Sequence, residues 1–367
     1  MISARAGITA AARGVVPDME HTDVVVVGAG QAGLSSAYFL RRSGFDFVVV
    51  DANPAPGGAW QHRWPTLRME TVHGIFDLPG MRFPPPAPEE RAAEALPAYF
   101  AAFEREYELD VRRPVSVETV EDGPGGRLTV RAGDLAWTTR ALINATGTWT
   151  KPFWPHYPGR SEFRGRQLHT ADYRGPAEFA GRRVVVVGGG TSAVQLLMEI
   201  AEVAAATTWV TRREPVFREG PFTQDYGRQI VARVDERVRA GLPPEPVVRV
   251  TELALTPALA AARAAGVLDR LPMFERLTAG GVAWADGERR AADVILWCTG
   301  WRAALDHLTP LGLRGPGGGI TMDGTRVVAD PRVHLVGYGP SASTVGANRA
   351  GRTAVRELRE LLGVAAA

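Results

Sequence analysis

The chain has 367 residues, 45% of them apolar and 22% charged, enough to bury two cores of ordinary domain size. Its 42 basic and 40 acidic residues leave a net charge of +2, which excludes the strong basic excess of a nucleic-acid or acidic-membrane surface. Cys298 is the single cysteine, so an intramolecular disulfide and a Cys-x-x-Cys redox centre are both excluded.

Residues 1–18 are rich in Ala and Arg without an apolar core, so no secretory signal is read there. Regular structure is expected to begin at Asp23, with Met19 as a candidate start and residues 1–20 as a disordered extension. Apolar runs such as Val24–Val27 and Val184–Val187 are too short for a membrane span, and a cytoplasmic location is the default.

Asp23–Val27 reads as a buried strand, followed by the turn Gly28-Ala29-Gly30-Gln31-Ala32-Gly33. A helical pattern through Leu34, Ala37, Leu40 and Arg41 then ends at Gly44. A second apolar strand, Phe45–Val50, closes on Asp51, 18 residues past Gly33. Gly28 allows a tight turn, Gly30 a close backbone approach to pyrophosphate, and Gly33 close packing of helix on strand. The helix start at Gln31 and Ala32 offers free N–H groups, and Asp51 is positioned for ribose hydroxyls. With all parts in register, this unit is expected to bind a dinucleotide.

Pro56-Gly57-Gly58-Ala59-Trp60 comes next. Gly58 would let the chain pass a flat ring system with Trp60 beside it; an ordinary turn with a core tryptophan is the alternative. Phe83–Pro88 reads as a stiff surface crossing, and a helix runs through Tyr99, Phe103 and Tyr107. Strands are expected at Val115–Val120, Arg127–Arg131 and Arg140–Ala145, the last ending at Thr146-Gly147. Lys151–Pro158 has the composition of a linker.

A second unit repeats the design: strand Arg183–Val187, turn Gly188-Gly189-Gly190-Thr191-Ser192-Ala193, helix Val194–Val203 and strand Thr207–Thr211. Ala193 replaces the third glycine, a permitted variant. This strand ends in Thr211-Arg212-Arg213 without a carboxylate at its tip. Arginines there suit a 2′-phosphate and so NADPH. They could equally be solvated surface groups, and Glu214 just beyond could favour NADH.

Residues 214–275 hold Ala/Arg-rich helical segments broken at Gly241–Pro244, read as part of the second domain with a cover over its cleft. Strand Asp293–Trp297 leads through Cys298-Thr299-Gly300 back to the first domain, which strand Arg332–Val336 and a helix over Ser343–Leu362 complete. The expected fold is α/β with two doubly wound, Rossmann-like domains, residues 151–293 being inserted between 21–150 and 294–367.

Between the two turns, Phe163-Arg164-Gly165-Arg166-Gln167-Leu168-His169-Thr170-Ala171-Asp172-Tyr173 matches F-x-G-x-x-x-H-x-x-x-Y/F. Here the chain resembles the flavin-containing monooxygenases, among the class B flavoprotein monooxygenases, and especially their compact bacterial members. The resemblance spans Gly28 to the final helix. It implies FAD in the first domain and NADPH in the second, NADH being the alternative donor. The substrate would be a small organic molecule, oxygenated with O2 by a C4a-(hydro)peroxyflavin. Tyr173-Arg174, where Baeyer–Villiger relatives carry Trp, favours oxygenation at sulfur or nitrogen over ketones. The resemblance further implies that Val115 offers backbone to the adenine and that Thr146-Gly147 and Cys298-Thr299-Gly300 are interdomain crossings. It also implies that Gly337, Thr344 and Val345 face the flavin. His169 is read as linking the domains, with no proton-transfer duty.

The sequence departs from the family twice. Tyr338 follows Gly337 where an acidic residue is common, and Met69–Gly74 lacks the flavin-side Asn. His73 or Thr71 could replace that hydrogen bond, and His73 and Trp60 are the catalytic candidates. No metal-spaced cluster is apparent, and a homodimer is admitted. The rival readings are a Baeyer–Villiger enzyme, a flavin reductase or NADPH oxidase releasing peroxide, and a redox-sensing binding protein.

Overall fold

A computed structural model describes residues 19–72, 74–220, 224–245 and 252–364. The first sheet contains β1 (Met19–Val27), β2 (Phe47–Val50), β3 (Val111–Arg112), β4 (Thr119–Asp122), β5 (Leu128–Ala132) and β6 (Leu135–Asn144). Parallel pairing runs β3-β2-β1-β6 and continues to the strand Val333–Leu335, while β4 and β5 form a hairpin against the lower half of β6. Both faces of β1 are covered, which is why its sequence is an unbroken valine run and not an alternation. Val24 and Val26 pack against α1 (Gln31–Arg42), α2 (Ala92–Glu106) and the final helix Thr344–Leu362. Val25 and Val27 face the opposite core with Val130, Trp137 and Leu308.

The second sheet holds β7 (Arg166–His169), β8 (Arg183–Val187) and β9 (Ala206–Thr211). Its order is Arg270–Pro272, β9, β8, Val294–Trp297, β7, all parallel. The helix α3 (Thr191–Ala201) follows β8 and buries Val194, Leu197 and Ile200. Two parallel sheets, each with a glycine turn leading from strand to helix, give the expected fold class.

Several expectations are corrected. β1 begins at Met19 and not Asp23, because Met19–Thr22 pair with Ala136–Thr139. Its polar start is held by tertiary partners: Glu20 accepts two hydrogen bonds from Arg112, at 2.6 and 2.8 Å, and one from the Trp137 indole at 3.0 Å. The strand expected at Val115–Val120 forms only from Thr119. Val294–Trp297, assigned above to the returning segment, is hydrogen bonded inside the second sheet. The helix Gln224–Arg239, expected as second-domain cover, sends Val238 into the first-sheet core beside Tyr338. Arg239 reaches Asp323, and the Gly241 carbonyl accepts from the Gly319 amide.

Two histidines are sealed in the first body. His307 Nε2 donates to Asn144 Oδ1 at 2.7 Å, and His334 Nδ1 meets Thr325 Oγ1 at 3.0 Å. Burial lowers both to about 4. The unfolded chain therefore binds protons below pH 6.5 that the folded chain refuses until pH 4, so stability falls as pH drops through that window. Each histidine should remove ~2 kcal/mol by pH 5 relative to pH 7. Urea midpoints at the two values test this, and a flat profile between them would mean that both imidazoles protonate inside the fold.

Candidate functional site

The first glycine turn is shaped by backbone contacts that leave no room for side chains. A Cβ on Gly28, whose φ is +99°, would lie 2.6 Å from the Ala145 carbonyl oxygen, and one on Gly33 only 1.8 Å from the Gly28 oxygen. Gly30 is different: its Cβ would meet nothing nearer than the Gly58 Cα at 3.9 Å. Gly58 thus lies directly across from Gly30, so the Gly57-Gly58 turn and the first turn form facing walls.

Asp51 is buried at the tip of β2. Its Oδ2 accepts from the Ala29 amide at 2.5 Å, and its Oδ1 from the Asn53 amide and side chain at 2.7 and 2.8 Å. Its backbone carbonyl accepts from the Val115 amide at 2.8 Å, bringing Val115 to the same strand tip. Thr146 Oγ1 donates to the Ala304 carbonyl at 2.7 Å, and the Gly147 carbonyl accepts from the Ala304 amide at 2.9 Å. Gly337 approaches Ala32 so closely that its Cβ would be 3.3 Å away. Gly28, Asp51, Val115, Thr146 and Gly337 are therefore gathered at the carboxyl ends of neighbouring parallel strands, where ligands of doubly wound sheets bind.

The helix starts distinguish phosphate-type sites from ordinary ones. Gly30 is the N-cap of α1 and Gly190 that of α3, and neither helix has a side-chain cap or an acidic residue in its first turn. By contrast, Thr256 caps the helix Pro257–Ala264, Ser343 caps Thr344–Leu362, and α2 carries Glu94 in its first turn. The first-turn N–H groups of Ala32 and Gly33, and of Thr191, Ser192 and Ala193, suit phosphate oxygens. The residues present thus fit two dinucleotides.

In the second turn, a Cβ on Gly188 would strike the Cys298 carbonyl oxygen at 2.2 Å. Trp209 Nε1 donates to the Gly188 carbonyl at 2.7 Å. At the β9 tip, Thr211 Oγ1 donates to the Arg213 carbonyl at 2.6 Å, curling the chain so that Arg212, Arg213 and Glu214 are exposed. Neither arginine has an ion-pair partner among the described residues. Arg270, from the neighbouring strand, adds a third guanidinium there, 3.2 Å from Thr211 Oγ1. Sequence reasoning missed Arg270, since only strand pairing brings it to β9.

The fingerprint residues are structural keys. Phe163 plugs the core with Val185, Val187 and Ile295. Gly165 clears the Asp293 carbonyl, from which a Cβ would be 2.4 Å away. His169 is fully buried; its Nδ1 accepts from the Ala171 amide and its Nε2 therefore donates to the Gly300 carbonyl, both at 3.1 Å. Burial lowers its pKa, keeping it neutral. Tyr173 donates to Glu199 Oε2 at 2.8 Å, and Thr66 donates to the same oxygen at 2.7 Å, which joins the turn after β7, α3 and the segment after Trp60.

Trp60 packs on two cores at once, with the Arg63 guanidinium 5.2 Å from its ring centre. His73 lies outside the described residues, as do the side chains of Thr344 and Val345. Thr71 Oγ1 donates to the Arg68 carbonyl at 2.9 Å, a local turn contact. Tyr338 is buried in the first-sheet core, where its hydroxyl meets Ile320 backbone. Cys298 is partly buried, and desolvation pushes its thiol up to about 12, which removes it from thiolate chemistry at neutral pH. Among the described residues no His, Cys, Asp and Glu cluster could hold a metal, and no helix is long and apolar enough to cross a membrane.

Comparisons with known proteins agree with this geometry. Residues 25–251 match the pyridine nucleotide-disulphide oxidoreductase family. A solved flavin-containing monooxygenase from Stenotrophomonas maltophilia is 42% identical, with a TM-score of 0.80, covering 94% of this chain and 100% of that one. The ferredoxin–NADP reductase of Thermus thermophilus is 35% identical over 201 residues, 54% of this chain and 55% of its own length. The probable indole-3-pyruvate monooxygenase YUCCA4 of Arabidopsis thaliana is 29% identical over 193 residues, 51% of this chain and 46% of its own. The chain spans about half the length of these curated relatives.

Proposed function

Because the chain belongs to the flavin-containing monooxygenase family, which binds FAD and NADP(H), we propose that it oxygenates sulfur or nitrogen in a small organic substrate at the expense of NADPH and O2. FAD, when bound, supplies the redox chemistry, accepting hydride from the nicotinamide and activating oxygen. The observation that carries the reading is the pair of uncapped, glycine-started helices at the ends of two parallel sheets.

The chain's own residues bind, orient and enclose. The α1 amides of Gln31, Ala32 and Gly33 would hold the FAD pyrophosphate, with Gly30 and Gly58 as the close walls. Asp51, whose oxygens keep lone pairs beyond those used by Ala29 and Asn53, would take ribose hydroxyls, and Val115 backbone would meet the adenine. Gly188, Gly190, Thr191, Ser192 and Ala193 would cradle the second pyrophosphate. His169 holds the crossing at Gly300 as a neutral donor, and Glu199 locks Tyr173 and Thr66, so these residues fix the two domains against each other. His73 and Trp60 are proposed beside the reacting centre. On this reading residues 21–150 and 298–367 form the FAD domain and 151–297 the NADPH domain, although the helix Gln224–Arg239 packs on the former.

Arg212 and Arg213, with Arg270 behind them, would select the 2′-phosphate. Replacing Arg212 and Arg213 together by alanine should raise the KM for NADPH about 10- to 100-fold while leaving that for NADH nearly unchanged. Equal changes for both coenzymes would return the pair to the solvated surface.

The reading is tested with 18O2, NADPH and methyl phenyl sulfide. Sulfide, O2, NADPH and a proton should give sulfoxide carrying one 18O, water and NADP+, in one-to-one stoichiometry. Ester from an added cyclic ketone, with no sulfoxide, would favour Baeyer–Villiger chemistry. The likeness to a ferredoxin–NADP reductase favours a second reading, a reductase without oxygen transfer. Peroxide equal to the NADPH consumed, with no oxygenated product, would select it.

A further inference from the structure

A cation without a carboxylate partner meets an aromatic wall built from the segments after Gly57, Gly147 and Gly300. Trp149 comes just after Gly147 and Trp301 directly after Gly300. Their rings stack 5.2 Å apart, and His62 stacks on Trp149 at 5.7 Å. The Arg63 guanidinium lies between Trp60 and Trp149, 5.2 and 5.3 Å from their ring centres. Its Nε and the Trp301 Nε1 are both buried and find no acceptor among the described residues. Arg63 forms no salt bridge there, and its burial lowers its pKa.

Arg174, an exposed residue, lies near enough for its charge to act on His62. Its guanidinium donates only to the Ala171 and Tyr173 carbonyls, at 3.2 and 3.4 Å. Asp51 is the carboxylate that acts on His62, and it is engaged by Ala29 and Asn53. Buried donors rarely go unpaired, and Arg63, half-buried with its Nε sealed between indole faces, lacks a counter-charge. An anion with acceptor oxygens at the Arg63 Nε would supply the missing partner and counter-charge.

We propose that Arg63 is the carboxylate receptor for the substrate, so that the enzyme favours organic substrates bearing a carboxylate. This deepens the monooxygenase reading and rests on it for the place where substrate binds. The same chemistry could be met by a dinucleotide phosphate, and the test separates the two sources.

Isothermal titration of the FAD-loaded protein with NADP+ present would compare (phenylthio)acetate with its neutral methyl ester. The wild type should bind the acid at least about tenfold more tightly, the range expected for a charge-assisted contact. Arg63→Gln should bring the ratio near one, and Arg63→Lys should leave an intermediate value. No preference in the wild type, or a preference kept by Arg63→Gln, overturns the proposal. Weakened FAD or NADP+ binding in Arg63→Gln with the acid preference intact assigns Arg63 to the dinucleotide instead. If Arg63→Gln does not fold, the wild-type ratio and Arg63→Lys decide. Binding is measured without turnover, so missing sulfoxide would count against the monooxygenase reading alone, and a missing acid preference against the receptor alone.

Discussion

Replacing Gly33 by alanine should cost the protein roughly 3 kcal/mol or more, visible as a large fall in the urea midpoint. The new Cβ would lie 1.8 Å from the Gly28 carbonyl oxygen, a distance no real contact reaches. The obstacle is backbone, so no rotamer change relieves it. Either α1 lifts from β1, opening the core that holds Val24, Val26 and Leu34, or the Gly28 turn breaks its hydrogen bond to the Val50 carbonyl. Core packing at interior density does not absorb such a shift cheaply. A midpoint within experimental error of the wild type would show that the turn has slack the geometry denies.

Gly30→Val should do the opposite: a folded protein that purifies colourless. Space exists around Gly30, since the nearest atom to its Cβ would be the Gly58 Cα at 3.9 Å. What valine fills is the gap between the two facing turns, where pyrophosphate must approach backbone and the uncapped α1 amides. FAD affinity should drop about 100-fold or more, since both close approach and amide hydrogen bonds are lost. Absorbance of the purified protein after addition of FAD measures it. A normal flavin spectrum with unchanged stability would remove the first turn from the FAD site. The two glycines, three residues apart, therefore separate a folding role from a binding one.

Much of this was legible in the chain itself. Valine runs of the buried-strand type, glycine turns and helix periodicity are short-range signals, so both βαβ units could be placed from the sequence. The fingerprint was also legible, and the structure gives its residues physical tasks: Gly165 clears the Asp293 carbonyl and His169 bonds the Gly300 carbonyl. The helix Gln224–Arg239 was readable as a helix but not as a neighbour of Tyr338, because an amphipathic pattern states that a face is buried and not against what. The start of β1 was missed for a related reason. Met-Glu-His-Thr has no strand periodicity, and its extension depends on β6, Arg112 and Trp137.

The sequence by itself determined the two glycine turns, the α/β class, the absence of dithiol chemistry and the arginines after Thr211. Those follow from local backbone requirements and residue counts. Only the tertiary structure decided that Val294–Trp297 belongs to the second sheet, that Arg270 joins the β9 tip, and that Arg63, its Nε unpaired, meets Trp149, which in turn stacks on Trp301. These partners come from distant stretches of chain. Which of many apolar or charged groups come together is fixed by how the sheets and crossings close, a choice made by packing that no local period records.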